Sequence, residues 1–134
     1  MKNKKVLLVT EDEPSLRGAL RDTLLGEGFV VLEAVNGVEG VKTALRERPD
    51  LILLDILLPK MDGIAMMKTL RGENEWGKNV PIILLTNVSP NDENINKTVA
   101  ENDPAYYLVK ATTSIGEVVE RIKERLSDKT STSD

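Results

Sequence analysis

Five short apolar runs alternate with longer segments of helical period. This feature constrains the chain most, because it is how a parallel sheet covered by helices reads in sequence. The runs are Lys5–Val9, Val30–Ala34, Leu51–Leu54, residues 80–85 and Tyr106–Val109. The first, third and fourth are nearly all apolar, as expected of central strands buried on both faces. Between them the helix signals are local. Pro14-Ser15 opens a segment with Leu16, Leu20, Leu24 and Leu25 on one face, which Gly26 or Gly28 can end. Residues 37–48 carry Val38, Val41, Ala44 and Leu45 and meet Pro49; residues 61–71 carry Ile64, Met67 and Leu70, with Gly72 beyond. Ser89-Pro90-Asn91-Asp92 has the order of a helix start, and Ser114-Ile115-Gly116-Glu117 fits a capping box ahead of Val118, Ile122 and Leu126. The pattern predicts one α/β domain of (βα)5 type over residues 1–127. Residues 128–134 contain no apolar side chain and read as a flexible tail or as the stub of a linker.

Composition narrows the chemistry. A chain of 134 residues suits one domain, and 40% apolar with 30% charged residues suits a folded core. There are no cysteines and no histidines, which excludes disulfide scaffolds, thiolate nucleophiles, zinc-finger ligation, Ser-His catalysis and a phosphohistidine on this chain. With 22 acidic and 18 basic residues the net charge is -4, the wrong sign for direct nucleic-acid binding. The apolar run behind the basic N-terminus is too short for a signal peptide, and Asp55 interrupts the longest apolar stretch, so no membrane segment is expected. A cytoplasmic location is the expectation. Gly26-Glu27-Gly28 follows a helix and lacks a third glycine, so it reads as a turn, not a dinucleotide fingerprint. Trp76 reads as packing.

In an open parallel sheet, ligands bind at the carboxyl ends of the strands. The residues there are Thr10, Glu11, Asp12 and Glu13 after the first strand, Asp55 after the third, Thr86 and Asn87 after the fourth, and Lys110 after the fifth. Glu11, Asp12 and Asp55 are thereby expected to converge. Two carboxylates about 5 Å apart repel by roughly 3 kcal/mol at an effective dielectric near 20. A hard divalent cation such as Mg²⁺ relieves that repulsion. The plainer reading is helix capping with the remaining acids solvated, and Glu13, just before Pro14, fits it.

Four segments together resemble the receiver domain of two-component response regulators, of the stand-alone, CheY-like kind. They are Leu7-Leu8-Val9-Thr10-Glu11-Asp12-Glu13-Pro14, Leu53-Leu54-Asp55-Ile56-Leu57-Leu58-Pro59-Lys60-Met61-Asp62-Gly63, Leu85-Thr86 and Tyr107-Leu108-Val109-Lys110. The resemblance implies a three-layer, doubly wound, flavodoxin-like fold with parallel strand order 2-1-3-4-5. It implies that Asp55 accepts a phosphoryl group from a sensor histidine kinase or a phosphotransfer protein. It implies Mg²⁺ held by Asp12, Asp55 and the backbone carbonyl of Leu57, with Glu11 acting largely through water. Lys110 would neutralise the phosphoryl oxygens, Thr86 would supply a hydroxyl donor, and Tyr107 would be the aromatic switch, with Tyr106 a second ring beside it.

On that reading the chain catalyses its own phosphorylation and dephosphorylation but is not a turnover enzyme. It would act on an unknown downstream protein through the face built from its fourth helix, fifth strand and fifth helix, or serve within a phosphorelay. A monomer or a weak phosphorylation-dependent dimer is expected. The alternative is a phosphorylation-independent interaction module on the same fold. A hydrolase of another aspartyl-phosphate family would need an acid at position 57, which is Leu. Three departures from the family pattern stand out. Ala111 occupies the usual position of a proline whose preceding bond is typically cis, and Asn87 replaces a small residue after the switch threonine. The segment 87–105 is also about two residues longer than is usual. Leu57 and Val88 would flank the path of the hydrolytic water, and neither can orient it.

Overall fold

The computed structural model describes residues 4–9, 14–57, 60–87, 97, 99–102 and 104–127. Five parallel strands form one sheet: β1 (Lys5–Val9), β2 (Val30–Ala34), β3 (Leu51–Leu54), β4 (Ile82–Thr86) and β5 (Tyr106–Val109). Their order is β2-β1-β3-β4-β5, the flavodoxin-like arrangement that the family resemblance implies. Burial follows position in the sheet. Every residue of β3 and β4 is buried, whereas β5, at one edge, is only partly covered. The fourth strand begins at Ile82 rather than Val80, because Val80 closes a short helix and Pro81 precedes the ladder.

Helices cover both faces. α1 (Pro14–Gly26) lies on one face with α5 (Ile115–Leu126), closing a core of Val6, Leu8, Leu20, Leu24, Leu53, Ile83 and Ile122. α2 (Gly37–Glu47) and α3 (Gly63–Glu73) lie on the other, over Leu7, Val9, Ile52, Leu54, Met66, Met67 and Leu84. Residues 97 and 99–101 are also helical, and Val99 joins this second core. The capping box at Ser114 and Glu117 is present in both directions. α2 stops at Glu47, where Arg48 turns left-handed at φ 45°, one residue before Pro49. α3 starts two residues later than the pattern predicts and runs through Gly72, since Asp62 caps it by accepting from the Ala65 N–H at 2.8 Å.

A fourth, short helix, α4 (Glu75–Asn79), has no counterpart in the sequence reading. It carries Trp76 onto the second core, as packing. Arg71 bolts it to its surroundings by donating to the carbonyls of Gly77, Val80 and Asn102 at 2.9, 2.7 and 2.9 Å. Among the described residues no helix is long and apolar enough to cross a membrane. The predicted helix start at Ser89 and the tail at 128–134 lie outside the described residues.

Candidate functional site

Asp55 is the first residue past β3, and its backbone N–H still donates to the Val9 carbonyl of β1 at 3.0 Å. The carboxyl ends of these two central strands are therefore level. Glu11 and Asp12 follow Val9 by two and three residues in the chain; like Thr10, Glu13 and Val88 they lie outside the described residues.

The Asp55 side chain is 8% exposed, and both of its oxygens are held. The Lys110 ammonium donates to Oδ2 at 2.6 Å, and the Leu57 N–H donates to Oδ1 at 3.1 Å. Lys110 is itself only 13% exposed. A buried charge must be paired and hydrogen-bonded to be tolerated, and Asp55 meets that condition through a residue 55 positions away in sequence. Leu57 presents its side chain to solvent, 62% exposed, while its backbone serves the carboxylate.

The start of α3 is pressed tightly against the end of β3. The Gly63 N–H donates to the Ile56 carbonyl at 2.8 Å, and a Cβ on Gly63 would lie 2.3 Å from the Asp55 carbonyl oxygen and 2.7 Å from the Ile56 Cα. Only glycine lets α3 begin this close to Asp55. The Asp-Gly pair is visible in the sequence, but its place as the start of α3 and its contact with the Asp55 backbone are not.

Thr86 ends β4 with no exposed surface and is the register partner of Val109, so Lys110 leaves the sheet beside it. Tyr107 and Tyr106 point to opposite faces. Tyr107 packs against the core under α2 and α3. Tyr106 is engaged by α5, its hydroxyl donating to Glu124 at 2.9 Å with the Arg121 guanidinium 5.9 Å from its ring centroid. Tyr107 pairs in register with Leu84 and so lies on the same face of the sheet as Thr86. The peptide bond between Lys110 and Ala111 is trans, and Lys110–Thr112 form a single 3₁₀ turn. The Ala111 N–H donates to the Asn87 side-chain oxygen at 3.0 Å. Both residues stand out in the sequence, but nothing local there pairs them.

Comparison with known proteins agrees with this fold. The profile of the response regulator receiver domain matches residues 7–123. The chain is 41% identical over 97 residues to the Bacillus subtilis alkaline phosphatase synthesis transcriptional regulatory protein PhoP, covering 72% of this chain and 38% of that one. It is similar in structure to the Vibrio cholerae chemotaxis response regulator CheY4, with TM-score 0.80 and 28% identity over 93% of this chain and 100% of that one. It is also similar to the receiver domain of a Pseudomonas aeruginosa sensor histidine kinase, described with a magnesium ion coordinated in its active site cleft. That comparison gives TM-score 0.77 and 28% identity over 91% of this chain and 96% of that one. This chain belongs to the response regulator receiver domain family, the domain of two-component signalling. It spans from 7% to 42% of the length of the first curated relatives it matches.

Proposed function

We propose that the chain is a phosphoacceptor switch in which Asp55 takes a phosphoryl group from a phosphohistidine on a sensor kinase or phosphotransfer protein. The observation that carries this reading is the buried Asp55 carboxylate at the carboxyl end of a central strand, with the Lys110 ammonium 2.6 Å from Oδ2. A carboxylate oxygen attacks phosphorus, the P–O bond forms as the P–N bond to the donor imidazole breaks, and the electron pair leaves with that nitrogen. Lys110 is already in place to pass from the carboxylate to the phosphoryl oxygens, so little reorganisation accompanies the transfer.

Mg²⁺ suits this donor set, since Asp55 stands level with the end of β1, from which Glu11 and Asp12 follow, and all three offer hard carboxylate oxygens. Asp12, Asp55 and the Leu57 carbonyl would hold the ion, with Glu11 acting through water. When bound, the ion supplies charge neutralisation for an incoming dianion. Thr86 donates its hydroxyl to the new anion, and Tyr107 repacks behind it. These movements shift the population of the face that contains β5 and α5, by a coupling of about 1–3 kcal/mol. A downstream protein binding that face would read the change, in the cytoplasm, with the chain as its own phosphorylation catalyst and not a turnover enzyme.

Intact mass after incubation with acetyl phosphate tests the reading. A single phosphoryl adduct that requires both Mg²⁺ and Asp55, and is lost in Asp55→Asn, is expected. A folded wild type that takes no adduct from acetyl phosphate or from a histidine kinase would leave the phosphorylation-independent interaction module as the better account.

A further inference from the structure

Two side chains beside the acceptor site are linked to each other. Thr86 and Val109 are the last register partners between β4 and β5, and beyond them both strands leave the sheet. Asn87 nevertheless reaches across that gap, its Oδ1 accepting from the Ala111 N–H at 3.0 Å. An alanine or glycine at position 87 would offer no side-chain acceptor, and a proline at 111 would offer no N–H. The link therefore needs both residues. Lys110, whose ammonium meets Asp55, precedes Ala111 on the same turn.

We infer that Asn87 is the positioning residue for Lys110. Its side-chain oxygen anchors the 3₁₀ turn to the end of β4 and so holds the lysine stem at the angle that aims its ammonium at Asp55. A proline at 111 would stiffen this turn through its ring; here a hydrogen bond does so instead. The inference rests on the phosphoacceptor reading for its kinetic consequence, but not for the link itself. Since both residues lie at the surface, water competes for the bond and its loss has a modest effect.

The test compares wild type with Asn87→Ala and Asn87→Leu, the second keeping bulk without an acceptor. Both variants are expected to fold and to lose hydrogen-exchange protection at the Ala111 amide. Their maximal phosphorylation rate by acetyl phosphate should fall by about two- to tenfold, the scale of one exposed hydrogen bond. A simple steric role for Asn87 gives the opposite pattern, with Asn87→Ala faster than wild type and Asn87→Leu unchanged; that result, or unaltered Ala111 protection, overturns the inference. If the wild type takes no phosphoryl group, the function reading fails separately. The inference is then judged on the Asp55 carboxyl ¹³C shift, which should move in Asn87→Ala toward its value in Lys110→Ala and refutes the inference if it does not move.

Discussion

Lys110 and Asp55 hold opposite charges 2.6 Å apart with both side chains largely out of water. The same lysine that compensates the empty carboxylate is the one that would compensate the phosphoryl group. On the phosphoacceptor reading, removing it withdraws charge from the transfer itself. Lys110→Met should slow phosphorylation by about 10²-fold or more, the scale of a lost preorganised electrostatic contact, as read by the initial rate of adduct formation. An unchanged rate would remove the lysine from the chemistry. Leu57 supports a different prediction. Its backbone N–H binds Asp55 while its side chain faces solvent and has no polar atom with which to orient a water. The phosphorylated protein should therefore lose its label slowly. Leu57→Asn should shorten the label's half-life severalfold after the donor is removed, with little effect on stability because the position is exposed.

The elements matter to the site through how closely they approach it. A Cβ at position 63 would overlap the Asp55 carbonyl oxygen at 2.3 Å, and that neighbour is backbone, which cannot swing aside. Gly63→Ala must push α3 away from β3 or displace Asp55. Overpacking of this kind costs about 1–3 kcal/mol. Urea unfolding should show that loss, together with slower phosphorylation; a variant as stable and as fast as wild type would mean the turn yields freely. This contact also shows where sequence reading stops. The strands were legible because β1, β3 and β4 are buried apolar runs, and the strand-end rule placed Asp55, Thr86 and Lys110 at one end of the sheet. The start of β4 was not legible, because Val80 is as apolar as Ile82 and yet closes a helix. Nor was α4, whose five residues are too short to show a period. The bond from Ala111 to Asn87 spans 24 residues and depends on strand register, which no local pattern encodes.

At the scale of the whole molecule, the proposed Mg²⁺ site predicts that stability depends on a divalent cation. The chain carries a net charge of -4, and the level ends of β1 and β3 bring Asp55 to the strand from which Glu11 and Asp12 follow. Lys110 offsets one of those charges directly. An ion that binds the folded site and not the unfolded chain stabilises by mass action, about 1.4 kcal/mol at ten times its Kd. For a domain of this size that raises Tm by roughly 4–7 °C. Thermal unfolding in a Mg²⁺ series should follow this logarithmic dependence, while NaCl at matched ionic strength should produce a smaller shift because it only screens. Asp55→Asn removes one carboxylate ligand and frees Lys110 to neutralise the acids that remain, so its Tm should barely respond to Mg²⁺. An equal rise in wild type and variant would place the cation elsewhere on the acidic surface. A rise confined to wild type would tie fold stability and phosphoryl acceptance to the same carboxylate.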